Sequence, residues 1–179
     1  MINRTSRACV PLLFALIVMI GLGGCKPRSA EDLYNEGKAA QLAGNNAKAR
    51  EKLEAALVAD PRHEDAHYRL GRIFQEEENW DKALFHLEKA VEIDPTEERA
   101  WFRLGEVYIE LRRNDEALKA LDKAIEGNPS KGEPYLKKAK VLRRLGRAAE
   151  AKALLVGAQK VVDAADSHRP RIQTEATAP

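Results

Sequence analysis

Trp101-x2-Leu104-Gly105-x2-Tyr108, followed by Ala117-x3-Leu121-x2-Ala124 and then Pro129, is the stretch that decides the fold. Its columns recur along the chain at a constant interval. Pro61, Pro95 and Pro129 stand 34 residues apart, and Gly37 and Gly71 precede Gly105 at the same interval. Ala117 shares its column with Ala49, Ala83 and Ala151, and Ala124 shares its own with Ala56, Ala90 and Ala158. Leu121 likewise follows Leu53 and Leu87 and precedes Leu155, so four registers align without a gap over 30–163. A period of this length indicates one supersecondary unit that cannot bury its apolar face alone and must stack on its neighbours.

The pattern resembles the tetratricopeptide repeat (TPR), a helix–turn–helix unit of 34 residues. Leu121 stands where the family often has Phe. The resemblance implies an all-α fold, an α-α superhelix of four units at 30–63, 64–97, 98–131 and 132–163. Residues 164–179, with Pro170 and Pro179, read as a flexible tail. Gly37, Gly71 and Gly105 are expected where the two helices of a unit approach most closely, with the paired alanines facing them. Ser29, Thr96 and the Ser130-x-x-Glu133 spacing are expected helix caps, and Gly44-Asn45-Asn46 an interhelical break.

The first 25 residues stand apart. Arg4 and Arg7 precede an uncharged apolar run, Val10–Leu22. Thirteen helical residues rise about 20 Å, short of the roughly 30 Å hydrocarbon core, so the segment reads as an export signal rather than a span. It ends Leu22-Gly23-Gly24-Cys25, which resembles a bacterial lipobox. That resemblance implies cleavage after residue 24, acyl chains on Cys25, and a tether at 25–29 tying the repeats to a membrane. Lys26 follows the cysteine where Asp would favour inner-membrane retention, pointing to the outer membrane, facing the periplasm. Cys9 would leave with the signal, so the mature chain has no disulfide.

Charge lends no support to one class of partner. Of 30 basic residues two lie in the signal, leaving 28 against 28 acidic ones, so nothing in the net charge favours nucleic acid. At 3.6 residues per turn, the first helices of the units nevertheless direct Asn35, Lys38, Arg69, Arg72, Arg99, Arg103, Glu106, Lys137, Lys140, Arg143 and Arg144 to one face. By the family resemblance this is the concave, partner-binding groove, and its basic ladder suits acidic peptides or a C-terminal carboxylate. Arg99 and Arg103 match two basic positions of the carboxylate-clamp subset of the family. Lys38 and Arg69 stand where that subset has asparagines.

In the fourth unit Lys138 replaces the leucine of Leu70 and Leu104, and Ala139 replaces the glycine. Leu154 and Val156 are apolar where the earlier units carry Lys52, His86, Ala120 and Glu54, Glu88, Asp122. The pair is expected to mark a contact surface for a partner or a second copy, or to pack locally. His63-x3-His67 has the spacing of a metal pair, but a third ligand is lacking and His67 falls in the column of Trp101. His86 and His168 read as surface positions. With no phosphate loop, serine elbow or Cys–His pair, neither an enzyme nor a cofactor is expected. The expected function is a membrane-anchored adaptor of the bacterial envelope supporting a pilus, secretion or polysaccharide-export assembly. The alternative is a self-associating structural lipoprotein.

Overall fold

The computed structural model describes residues 28–167, and every element among them is helical. The signal, Cys25 and residues 168–179 lie outside the described residues. The helices are α1 (Ala30–Leu42), α2 (Asn46–Ala59), α3 (Glu64–Glu76), α4 (Trp80–Ile93), α5 (Glu98–Glu110), α6 (Asn114–Gly127), α7 (Gly132–Arg144) and α8 (Ala148–Ser167). Each packs on the next. α3 also touches α5 and α5 touches α7, so the first helices of the units line the inside of a superhelix.

The glycine column sets the closeness of each pair, with a correction to the expected partner. A Cβ on Gly37, Gly71 or Gly105 would meet the Cγ of Leu53, Leu87 or Leu121 at 2.8, 2.6 or 2.9 Å. The leucines, rather than the alanines, therefore press most closely on the glycines. Those three leucines are fully buried, each contributing about 1.5–3 kcal/mol. The fourth unit has Ala139 in the glycine column and no further unit beyond α8 among the described residues, and its Leu155 is only half-buried.

The turn within each unit needs a left-handed residue. Gly44 and Gly146 fill that position at φ 76° and 77°, whereas Glu78 and Arg112 fill it at 56° and 58°. Asn45 and Asn79 then cap the following helices by accepting from the backbone N–H of Lys48 and Lys82.

The turns between units carry a tie that the columns alone do not reveal. Trp101 donates from Nε1 to the carbonyl of Pro95 at 2.8 Å, and the Tyr135 hydroxyl donates to that of Pro129 at 3.1 Å. His67 holds the same column, with Nε2 3.2 Å from the Pro61 carbonyl. A carbonyl can only accept, so His67 Nε2 carries its proton there and Nδ1 is left to accept.

Of the expected caps, Ser29 closes a full capping box with Asp32. Thr96 and Ser130 do not cap. Their hydroxyls donate to Asp94 and Asn128 inside the proline turns, and the N-cap positions are Glu97 and Lys131, one residue later. The last helix continues to Ser167, past the expected limit at 163. Asp163 holds the column of the three prolines, so no missing N–H or locked φ stops the helix.

Candidate interaction groove

Residues three apart on each first helix reach the inner face together, giving two columns: Asn35, Arg69, Arg103, Lys137 and Lys38, Arg72, Glu106, Lys140. Between α3, α5 and α7 they border an open cleft of about 290 Å³, lined by Arg72, Gln75, Glu76, Trp80, Arg103, Glu106, Ile109, Glu110, Lys137 and Lys140. Arg72, Arg103, Lys137 and Lys140 of the expected ladder thus converge.

Glu106 lines the cleft with them, and the other six lie elsewhere. Arg143 and Arg144 are exposed at the end of α7, where Arg144 donates to Asn114. Asn35 and Lys38 are exposed on α1, and Asn35 donates to Glu31 at 2.9 Å. Arg69 reaches back one unit, donating to the Tyr34 hydroxyl at 3.0 Å and to Gln41 at 2.9 Å. Arg99 forks onto its neighbour Glu97 at 2.7 and 2.8 Å and lies over the Tyr68 ring.

The cleft is not uniformly basic. Glu106 occupies the column that is Lys38, Arg72 and Lys140 in the other units. Its carboxylate takes Arg103 at 2.9 Å, Lys137 at 2.5 Å and the Gln75 amide at 3.3 Å. Burial alone would raise this carboxyl, yet the bonds and charges of Lys137, Arg103 and Gln75 outweigh it and hold the group below its ordinary value. Arg72 leans on Glu76 at 3.5 Å. Among the described residues Lys140 makes no ion pair and is exposed. The cleft therefore offers a half-buried indole and a buried isoleucine between charges of both signs.

Gln75, Glu76, Trp80, Ile109 and Glu110 are the lining residues that the ladder omits. Gln75, Glu76, Ile109 and Glu110 lie one turn beyond its two columns. Trp80 breaks a column that is Asn46 and Asn114 in the neighbouring units, which is the signal that could have found it.

The histidines resolve differently from expectation. His63 caps α3, its Nδ1 accepting from the Ala66 N–H, while Nε2 lies 3.4 Å from Glu31. His67 faces Pro61 and His86 instead. His86, read as a surface position, is half-buried, stacked on Phe74 and 3.1 Å from His67 Nδ1. Because His67 Nδ1 accepts, His86 Nδ1 donates. Burial and the facing His67 and Lys82 push its imidazole down to about 4.

Leu154 and Val156 do not share a surface. Residues two apart on a helix point in nearly opposite directions. Leu154 packs half-buried beside Leu118 over a hollow of about 380 Å³ next to the Lys138–Asp122 ion pair, whereas Val156 is 55% exposed.

An inner cleft built from stacked helical hairpins defines a repeat scaffold for protein–protein interaction. Two tetratricopeptide repeat family models match, one over residues 34–98 and one over 74–135, together spanning more than half of the chain. The chain belongs to the tetratricopeptide repeat family. Among solved structures it is similar to a crystal structure of MamA, at 24% identity and a TM-score of 0.75 over 80% of this chain and 84% of that one. It is also similar to MamA 41-end from Desulfovibrio magneticus RS-1, at 23% and 0.70 over 77% and 78%. MamA AMB-1 follows at 26% and 0.66 over 74% and 78%. These likenesses are of fold. No curated protein matches the chain significantly.

Proposed function

We propose that this chain is a lipid-anchored scaffold of the bacterial envelope that receives acidic peptide segments of partner proteins in its inner cleft and so supports an envelope assembly. The observation that carries the groove reading is the convergence of Arg72, Arg103, Lys137 and Lys140, from three different units, on one cleft beside Trp80. Cations from separate helices, brought together by packing, present several contacts to one extended acidic chain. The anchor reading rests on the sequence before residue 26, with Cys25 as the acylated residue.

Two measurements test the two halves. Fluorescence anisotropy with a labelled hexaglutamate peptide bearing a free C-terminus should show binding to the full chain in detergent. Arg72→Glu with Lys140→Glu should weaken it at least tenfold; undiminished binding by the double variant sinks the groove reading. Metabolic palmitate labelling should mark the wild type and not Cys25→Ala; an unlabelled wild type removes the anchor. A self-associating role is the second reading, favoured by the exposure of Leu136 at 61% and Val156 at 55% on the last unit.

A further inference from the structure

We infer that Glu106 is a built-in competitor in the inner cleft, a carboxylate of the chain itself that occupies the cationic seat a partner's carboxylate would take. The inference rests on the acidic-partner reading of the same cleft and adds how that site is restrained.

Three features place Glu106 in that role. Its column is basic in every other unit, so this one position reverses the sign that the other three present. Its carboxylate is not a bystander on a solvated face: its side chain is 13% exposed. It gathers a guanidinium from α5 (Arg103), an ammonium from α7 (Lys137) and an amide from α3 (Gln75), one donor from each helix bordering the cleft. A carboxylate bound by an Arg, a Lys and an amide on a half-buried floor is the contact set that an incoming Asp, Glu or terminal carboxylate needs.

Consequently the donors are held in position but not free. An acidic ligand gains contacts with Arg103 and Lys137 only by displacing Glu106, which would then be left without partners on a half-buried floor, or by binding above it through Arg72 and Lys140 alone. The cleft is thus set to a weak affinity that a partner must exceed with several contacts at once, favouring segments with more than one acid over a single carboxylate.

Anisotropy with the same labelled hexaglutamate, on the full chain, tests this. Glu106→Gln keeps the shape of the side chain and removes its charge, and it should tighten binding by roughly tenfold or more. Glu54→Gln removes an equal charge from the exposed face of α2, outside the cleft lining and with no cation bonded to it among the described residues, and should change affinity by less than about threefold. Glu106→Arg, which installs the residue type of Arg72 in the same column, should tighten binding at least as much and serves if the glutamine variant folds poorly. Equal gains from Glu106→Gln and Glu54→Gln would mean that only net charge matters and would overturn the inference. So would weaker binding by Glu106→Gln, which would make Glu106 an organiser of the cations instead. If hexaglutamate binds neither the wild type nor any variant, the acidic-partner reading itself falls, and the competitor with it.

Discussion

Gly71 and Leu87 stand so close that a methyl group added to the glycine would lie 2.6 Å from the leucine Cγ. The helices α3 and α4 are held at that separation because the glycine has no side chain. Gly71→Ala should therefore destabilise the chain although alanine is the better helix former. Overpacking costs about 1–3 kcal/mol and the propensity gain returns at most about 1. Gly157 in α8 is the control: a Cβ there meets nothing within 4 Å, so Gly157→Ala should stabilise by roughly 0.5–1 kcal/mol. Chemical denaturation of both variants checks the opposite signs, and a stabilised Gly71→Ala would remove the close approach as the reason for the glycine.

The His67–His86 contact should make stability sensitive to mild acid. Burial, with His67 and Lys82 facing it, pushes the His86 imidazole down to about 4, and burial lowers His67 as well. In the unfolded chain both titrate near 6.5. Between pH 6.5 and 4 the unfolded state binds more protons than the folded one, so stability falls as pH falls through that window. His86→Ala, the residue of Ala120 in the same column, should flatten this slope in a series of thermal melts. An unchanged slope would place the acid sensitivity elsewhere.

Glu64 should act in the opposite sense. Burial, then the neighbouring Asp65, Glu97 and Asp94, push its carboxyl up to about 7, and its Oε1 has no hydrogen-bond partner. At the next junction the same column holds Glu98, which pairs with Lys131 at 2.6 Å. Glu97 stands in Lys131's column, so the second junction sets two acids where the third sets an ion pair. As pH rises from about 4.5 to 7 the unfolded state releases this proton first, so stability contributed by the neutral form is lost across that interval. Glu64→Gln should melt progressively above the wild type over that range and remain higher beyond it. Parallel curves would dismiss the shift.

Glu78 and Arg112 hold the left-handed turn position that glycine fills in the first and fourth units. Glu78→Gly and Arg112→Gly should each raise stability by about 0.5–1 kcal/mol, because glycine adopts this conformation without a Cβ penalty. Denaturation midpoints that fall instead would show that these side chains hold the turn by contacts that outweigh the strain.

The fold was legible because its determinants are local and repeat. The prolines at 61, 95 and 129, the small residues and the leucine column follow from the geometry of one hairpin, copied without insertion. Caps were less so: Ser29, Thr96 and Ser130 look alike in sequence, but Asp94 and Asn128 supply acceptors that draw Thr96 and Ser130 into the proline turns, leaving the cap one residue on. The groove was legible only as residue types. Arg69 is engaged by Tyr34 and Gln41, and Arg103 by Glu106, which itself collects Lys137 from the next unit. Apart from Arg103–Glu106, three residues apart, these pairings span 28–35 residues and leave no mark in a list of cations. Leu154 and Val156 were coupled by proximity along the chain, which on a helix sends them to opposite sides.

The ring donors that reach the proline carbonyls bear on how such an array can diverge. Indole, phenol and imidazole differ in size and shape, yet each delivers one N–H or O–H at a similar reach, and that reach helps fix the pitch from one hairpin to the next. At His67, Trp101 and Tyr135, though not at Leu33 of the first unit, drift is thus limited by a proton to give rather than by volume. A phenylalanine at Trp101 or Tyr135 would fill the interior and still let successive hairpins swing, altering the curvature of the whole spiral without unfolding any part of it.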